Sequence, residues 1–297
     1  MDYIETDALL ALVHSYPIKM HHLQKILMQC ESLYEFPSVS TEILSAAFRQ
    51  SPDIINIIKK SFIQHLNSPQ FERYEQQHIH IIPFTDNNYP KRLLQLYDPP
   101  VILFAKGQKQ LLNETTCIAS IGSRQASKYS LDALKLLLPP LIEQNVTIVS
   151  GLAKGADTFS HKLTMHYGGK TIAVVGHGLH MIYPKENEPL ARVLEQEHLL
   201  ISEYPLGTSP KKHHFPMRNR IISGISKALI VTEAKLRSGT MITTEQALET
   251  GRDVFVVPGP ITSPLSQGTN KLIKEGAIPV VNGYQILEEL QLLGMNN

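Results

Sequence analysis

Val146-Thr147-Ile148-Val149-Ser150-Gly151-Leu152-Ala153-Lys154-Gly155-Ala156-Asp157 is the stretch on which the fold turns. A run of β-type residues ends at Ser150, glycines turn the corner, and helical spacing begins at Ala156 and carries on to His166. Strand, corner and helix in that order make half of a βαβ unit, and the same texture continues on both sides. Strands are expected at 79–82, 101–105, 117–121, 146–150, 171–175, 199–202, 228–231, 254–257 and 278–281. Helices are expected at 127–144, 156–166, 189–198, 241–250 and 269–274. Most of the strands are continuous apolar runs, as suits strands covered on both faces. The expected fold is α/β, a mostly parallel sheet with helices on both sides, over residues 78–290. Residues 1–70 have helical spacing instead, broken at Pro17 and Pro37, and form a small all-α domain with its boundary near 68–77.

The 297 residues suffice for one larger domain and a smaller attachment. Lys and Arg number 28 against 27 Asp and Glu, so a polyanion partner has to be met by local clustering of charge. Cys30 and Cys117 lie far apart with no ligand spacing around them, which argues against a disulfide scaffold and a zinc site. The amino terminus is acidic and no apolar run reaches the ~18–20 residues of a membrane span, so cytoplasmic residence without membrane insertion is expected.

In a parallel sheet, ligands bind beyond the carboxyl ends of the strands. Four such ends carry small, backbone-exposing corners: Gly122-Ser123-Arg124, Ser150-Gly151 continuing through Lys154-Gly155, Gly176-His177-Gly178, and Ser238-Gly239-Thr240. Glycine lets a backbone approach phosphate closely, and a following helix N-terminus adds partial positive charge. Each corner alone also fits an ordinary tight turn. No G-x-G-x-x-G opens a helix, so no NAD or FAD is expected, and Gly169-Lys170-Thr171 precedes a strand instead of following one as a phosphate-binding loop would. From Tyr204 to Thr232 there is no acid, while Lys211, Lys212, Arg218, Arg220 and Lys227 are basic. The stretch Pro210 to Arg220 reads as a loop by its prolines and contains Phe215 and Asn219. Cations beside an aromatic ring are what single-stranded nucleic acid needs, and no duplex-reading motif is present.

The acids at strand ends, Asp157, Glu203, Glu233 and Glu245, could form a catalytic pair or a metal site, or could serve only as helix caps and ion-pair partners. The histidines lack the companions of a metal site, and no Ser-His-Asp pattern appears. No catalytic or metal-binding residue is assigned.

Taken together, Ile121-Gly122-Ser123-Arg124, the Ser150–Asp157 stretch, Ile201-Ser202-Glu203-Tyr204-Pro205, Phe215-Pro216-Met217-Arg218-Asn219-Arg220 and Ser238-Gly239-Thr240 resemble the DprA/Smf family of bacterial DNA-processing proteins, in the family's order. The resemblance runs from about Ile79 to Gly283. It implies an extended Rossmann-like domain that binds single-stranded DNA without strong sequence preference, protects incoming strands in natural transformation, forms a homodimer and helps load the RecA recombinase. Further competence or single-strand-binding proteins are implied as partners, with no enzymatic activity and no cofactor. Arg124 is similar to a phosphate-contacting arginine, Lys212 and Lys185 to groove lysines, and Phe215 to a base-stacking ring. The amino-terminal region resembles the family's small helical domain, of helix-hairpin-helix or SAM type, but His14-Ser15-Tyr16-Pro17-Ile18 lacks the glycine pair of a DNA-contacting hairpin. No winged-helix domain is expected after the α/β region. Leu272, Ile273 and Ile278 form an apolar cluster that suits either a dimer contact or a core. An alternative reading is a nucleoside-monophosphate hydrolase of a related Rossmann family, in which an acid follows a glycine corner; here Thr243 holds that place and Glu245 comes two residues later.

Overall fold

The computed structural model describes residues 4–113 and 116–293. The amino-terminal helices are α1 (Thr6–Ser15), α2 (Met20–Leu27), α3 (Thr41–Phe48), α4 (Pro52–Leu66) and α5 (Gln70–Glu75). Then β1 (Ile79–Pro83) and β2 (Ile102–Gly107) lead into β3 (Cys117–Ile121), α6 (Lys128–Glu143), β4 (Thr147–Ser150), α7 (Ala156–His166) and β5 (Thr171–Val175). The chain continues with α8 (Glu188–Glu197), β6 (Leu199–Ser202), α9 (His214–Ile225), β7 (Ala228–Val231), α10 (Gly239–Glu249) and β8 (Asp253–Val256). It closes with α11 (Gln267–Lys274), β9 (Ile278–Pro279) and α12 (Gly283–Glu289).

The strands form one sheet in the order β1-β2-β6-β5-β4-β3-β7-β8-β9. All neighbours from β6 to β9 pair parallel, and only β1 with β2 and β2 with β6 pair antiparallel. The period-2 alternation of a strand sorts its side chains between the faces. In β7, Ala228 and Ile230 pack with Leu134 and Leu138 of α6, while Leu229 and Val231 pack with Ile221 of α9 and Met241 of α10. Helices therefore cover both faces, as the unbroken apolar strands require.

On the side of β1, β2 and β6, the amino-terminal helices continue the same apolar cluster, from Leu9 and Phe62 through Tyr74 to Phe104 and Leu200. The segment expected to separate two domains holds α5, and its Tyr74 stacks on Phe104 with ring centroids 5.0 Å apart. Two expectations about individual elements are corrected. The expected last strand shrinks to Ile278–Pro279, and the stretch Pro210–Arg220, read as a loop, begins α9 at His214. Pro216 lies in the first turn of α9, where a backbone N–H has no helical partner to lose, so this proline starts a helix instead of breaking one.

Candidate nucleic-acid interface

The chain winds from β3 through β4 and β5 to β6 and then returns past its starting point to β7, so the order of connection reverses between β3 and β7. A crevice opens at such a switch point, outside the carboxyl ends of the strands. Here it is stitched from several sides. Glu233, just after β7, accepts from the backbone N–H and the hydroxyl of Ser127, both at 2.7 Å, and so anchors the start of α6. Ser130 donates to Thr232 at 2.7 Å, and Thr240 of α10 donates to the Gly122 carbonyl at 3.0 Å. Gly155 has φ +73°, and a Cβ there would stand 2.4 Å from the Ser123 carbonyl oxygen. Only glycine lets this loop lie against the backbone that carries Arg124.

The resulting groove, of about 700 Å³, brings together Arg124, Lys212, Phe215, Asn219, Lys235 and the Ser238-Gly239-Thr240 corner. The Arg124 guanidinium lies over the Phe215 ring, 5.2 Å from its centroid, and Tyr183 stands 5.8 Å from the same ring. Arg124, Lys212 and Lys235 are exposed and Phe215 is half-buried. Asp157 is the one acid that lines the groove among the described residues. It is buried, accepts from the Ala153 N–H at 3.3 Å and crowds with Arg218 against Gly151. Burial pushes its carboxyl above the usual range, and Arg218 opposes the shift. The accessible field of the groove is therefore positive.

Helix α9 forms the dividing wall. At 3.6 residues per turn, Phe215, Arg218, Asn219 and Ile222 share one face, and all four line the groove. Arg220 falls on the opposite face and pairs with Glu203. Arg220, expected among the strand-binding residues, therefore does not line the groove. Arg218 meets the groove from beneath: it is 5% exposed, with Nη1 donating to the Val174 carbonyl and Nε to Asn219 at 3.0 Å. Ser150 and Gly151 are likewise buried, Ser150 donating to the Ser120 carbonyl at 2.6 Å. Lys154 lines a smaller annex of the groove that shares Arg124 and Phe215 with it. There it meets Glu186 at 2.5 Å in an exposed pair, and Lys185 is the exposed neighbour of that pair. Ser123, half-buried, accepts from the Gln125 N–H at 3.1 Å.

Lys235, Gln125 and Tyr183 also line the groove, and the sequence reading passed over them. Lys235 donates to Gln125 at 3.0 Å across 110 residues of chain. The only signal was its position between a strand end and a glycine corner. The acids that could have been catalytic are dispersed. Glu233 anchors Ser127, Glu203 faces Arg220, and Glu245 is exposed on α10 without lining the groove, where Thr243 stands instead. No group of three or more metal-ligating side chains occurs among the described residues, and none of their helices is long and apolar enough to cross a membrane. Of the apolar residues that suited either a dimer contact or a core, Leu272 belongs to the core that also holds Met241 and Ala247 of α10, whereas Ile278 packs against the cluster of α6 and α12.

A family model described as DNA recombination-mediator protein A matches residues 80–291. The DNA processing protein DprA of Streptococcus pneumoniae is 48% identical over 206 residues, which cover 69% of this chain and 72% of the relative. The X-ray structure of a DprA from the same species superposes with a TM-score of 0.82 at 37% identity, covering 96% of this chain and 98% of the other. A Helicobacter pylori DNA processing protein A, solved to describe its single-stranded DNA binding mode, superposes with a TM-score of 0.65 at 30% identity. That match covers 72% of this chain and 95% of the other.

Proposed function

The chain belongs to the DNA recombination-mediator protein A family, the DprA/Smf proteins, and from that premise we propose that it holds single-stranded DNA, without sequence preference, in the groove between β3 and β7. The observation that carries the reading is the Arg124–Phe215 pair, exposed cation over half-buried ring, with Lys212 and Lys235 beside it. Cations follow a phosphate backbone while a ring accepts whichever base lies against it, which gives affinity with little sequence preference. The protein acts by binding, and no bond of the strand is broken.

Arg124, Gln125, Lys212 and Lys235 are exposed, so a strand laid along them keeps its outer face free. A strand held in that way is protected on one side and offered to a recombinase on the other, which suits the loading of RecA during transformation. The working form is a homodimer in this reading, and further competence or single-strand-binding proteins meet it in the cytoplasm.

Anisotropy of a labelled oligo-dT tests the groove. Arg124→Ala and Lys212→Ala weaken binding, and wild-type affinity in both variants refutes the site. RecA filament growth on strands precoated with single-strand-binding protein tests the loading: it is faster with this protein present and unaffected by it if loading is wrong. Sedimentation at micromolar concentration, showing only monomer, would remove the dimer.

A further inference from the structure

On the far side of α9 lies a second cavity of about 540 Å³, walled by the α1–α2 turn, the approach to β2 and the chain after β6. Its size falls in the range of small-molecule pockets, about 300–1,000 Å³. Its floor is the Glu203–Arg220 ion pair, each side chain 13% exposed. Arg220 commits Nη2 to Glu203 Oε2, while its Nε and Nη1, and Glu203 Oε1, are buried without a hydrogen-bond partner. Buried donors and acceptors of a charged pair carry a large desolvation penalty when unmet, so such a floor favours a ligand that brings its own acceptors and donor.

The walls are aromatic. Tyr16, braced by Phe48 at 4.9 Å, and Tyr204, stacked on His214 at 4.1 Å, both line the space. Lys211 and His213 stand exposed at the rim. A flat heteroaromatic ring bearing hydrogen-bonding groups, joined to an anion, meets all three features, and a nucleotide has that chemistry. We propose that this cavity is a second nucleotide site, separate from the groove, with the base at the Glu203–Arg220 pair and the phosphate at Lys211 and His213. The chain between Pro210 and His214 links the two sites, since Lys212 lines the groove and its neighbours Lys211 and His213 line the cavity. The nucleotide is either free or one unit of a strand that crosses this loop.

Two measurements on the full chain separate those sources. Equilibrium dialysis with dGMP, dCMP, dAMP and TMP reads capture of a free nucleotide. Photo-cross-linking with oligo-dT carrying iodouracil reads entry of a strand. In the first case at least one mononucleotide binds saturably, and its affinity falls about tenfold in Arg220→Gln and in the double variant Lys211→Ala/His213→Ala, as loss of a charged hydrogen bond implies. In the Arg124→Ala background, where the groove is disabled, the remaining capture keeps the same dependence on Arg220, Lys211 and His213, because Arg124 does not line the cavity. In the second case free nucleotides do not bind, but the strand cross-links to Tyr16 or Tyr204 and the rim double variant abolishes the product. The rim residues are exposed, so their loss is read in a folded protein even if Arg220→Gln unfolds. Capture that survives both variants, or neither capture nor cross-link in a chain that still binds oligo-dT through Arg124, overturns the second site and leaves the groove standing. Loss of Arg124 dependence with cavity capture intact would do the reverse.

Discussion

Replacing Arg124 by Ala should change how binding responds to salt more than it changes the fold. Three exposed cations face the groove, Arg124, Lys212 and Lys235, while Arg218 is sequestered beneath. Each phosphate neutralised on a single strand contributes about −0.7 to the slope of log affinity against log salt, so the wild-type slope should be about −2. Between roughly 50 and 200 mM salt that slope amounts to about an 18-fold loss of affinity. Arg124→Ala removes one contact, the slope relaxes to about −1.4, and the loss over the same range drops to about sevenfold. Anisotropy titrations of a short labelled oligo-dT at four or more salt concentrations give both slopes. A variant whose slope equals that of wild type would show that Arg124 meets no phosphate, and the groove would need a different lining.

Phe215→Ala should weaken the same complex by roughly 1–3 kcal/mol while leaving the salt slope where it was, since stacking releases no counterions; a changed slope would refute that division of labour. Gly155→Ala forces a side chain into a positive-φ conformation against the Ser123 carbonyl and should lower stability by on the order of 1–3 kcal/mol, read from urea midpoints. An unshifted midpoint would mean that the two corners do not touch. His161 is fully buried, its ring bonded to Thr171 and Gly151, and burial lowers its pKa to about 4. The unfolded chain then binds the extra proton first, so this contribution, roughly 3 kcal/mol, is complete above about pH 6.5 and is lost as pH falls toward 4. An NMR titration of the His161 ring with a midpoint near 6.5 would contradict it.

The parallel strands were legible because burial on both faces leaves them mostly apolar, with only small polar residues such as Ser120, Thr171 and Ser202 in the runs. β3, β5, β6 and β7 begin and end where the sequence pattern placed them, at 117–121, 171–175, 199–202 and 228–231. The first part of helix α9 was not legible, although a helix or turn at Ile221-Ile222-Ser223 was, because Pro216 reads as a breaker unless it is known to occupy a first turn. That one ambiguity hid the phase that places Phe215 and Asn219 in the groove, tucks Arg218 below it and turns Arg220 away. Ser150 and Gly151 read as surface corners because a glycine packed against Arg218 and Asp157 looks the same in sequence as one that faces a phosphate. Lys235 was missed for a related reason. Its neighbour across the groove, Gln125, is brought to it by the sheet and by nothing local.

The contact between Arg124 and Phe215 has a kinetic side. The Arg124 guanidinium lies over the Phe215 ring, so the half-buried aromatic is not bare apolar surface inviting self-association. In the proposed complex, a base stacking on Phe215 would compete with the arginine for that face, and the displaced arginine would be free to meet a phosphate. Grip and release in that complex would be a substitution of one π partner for another.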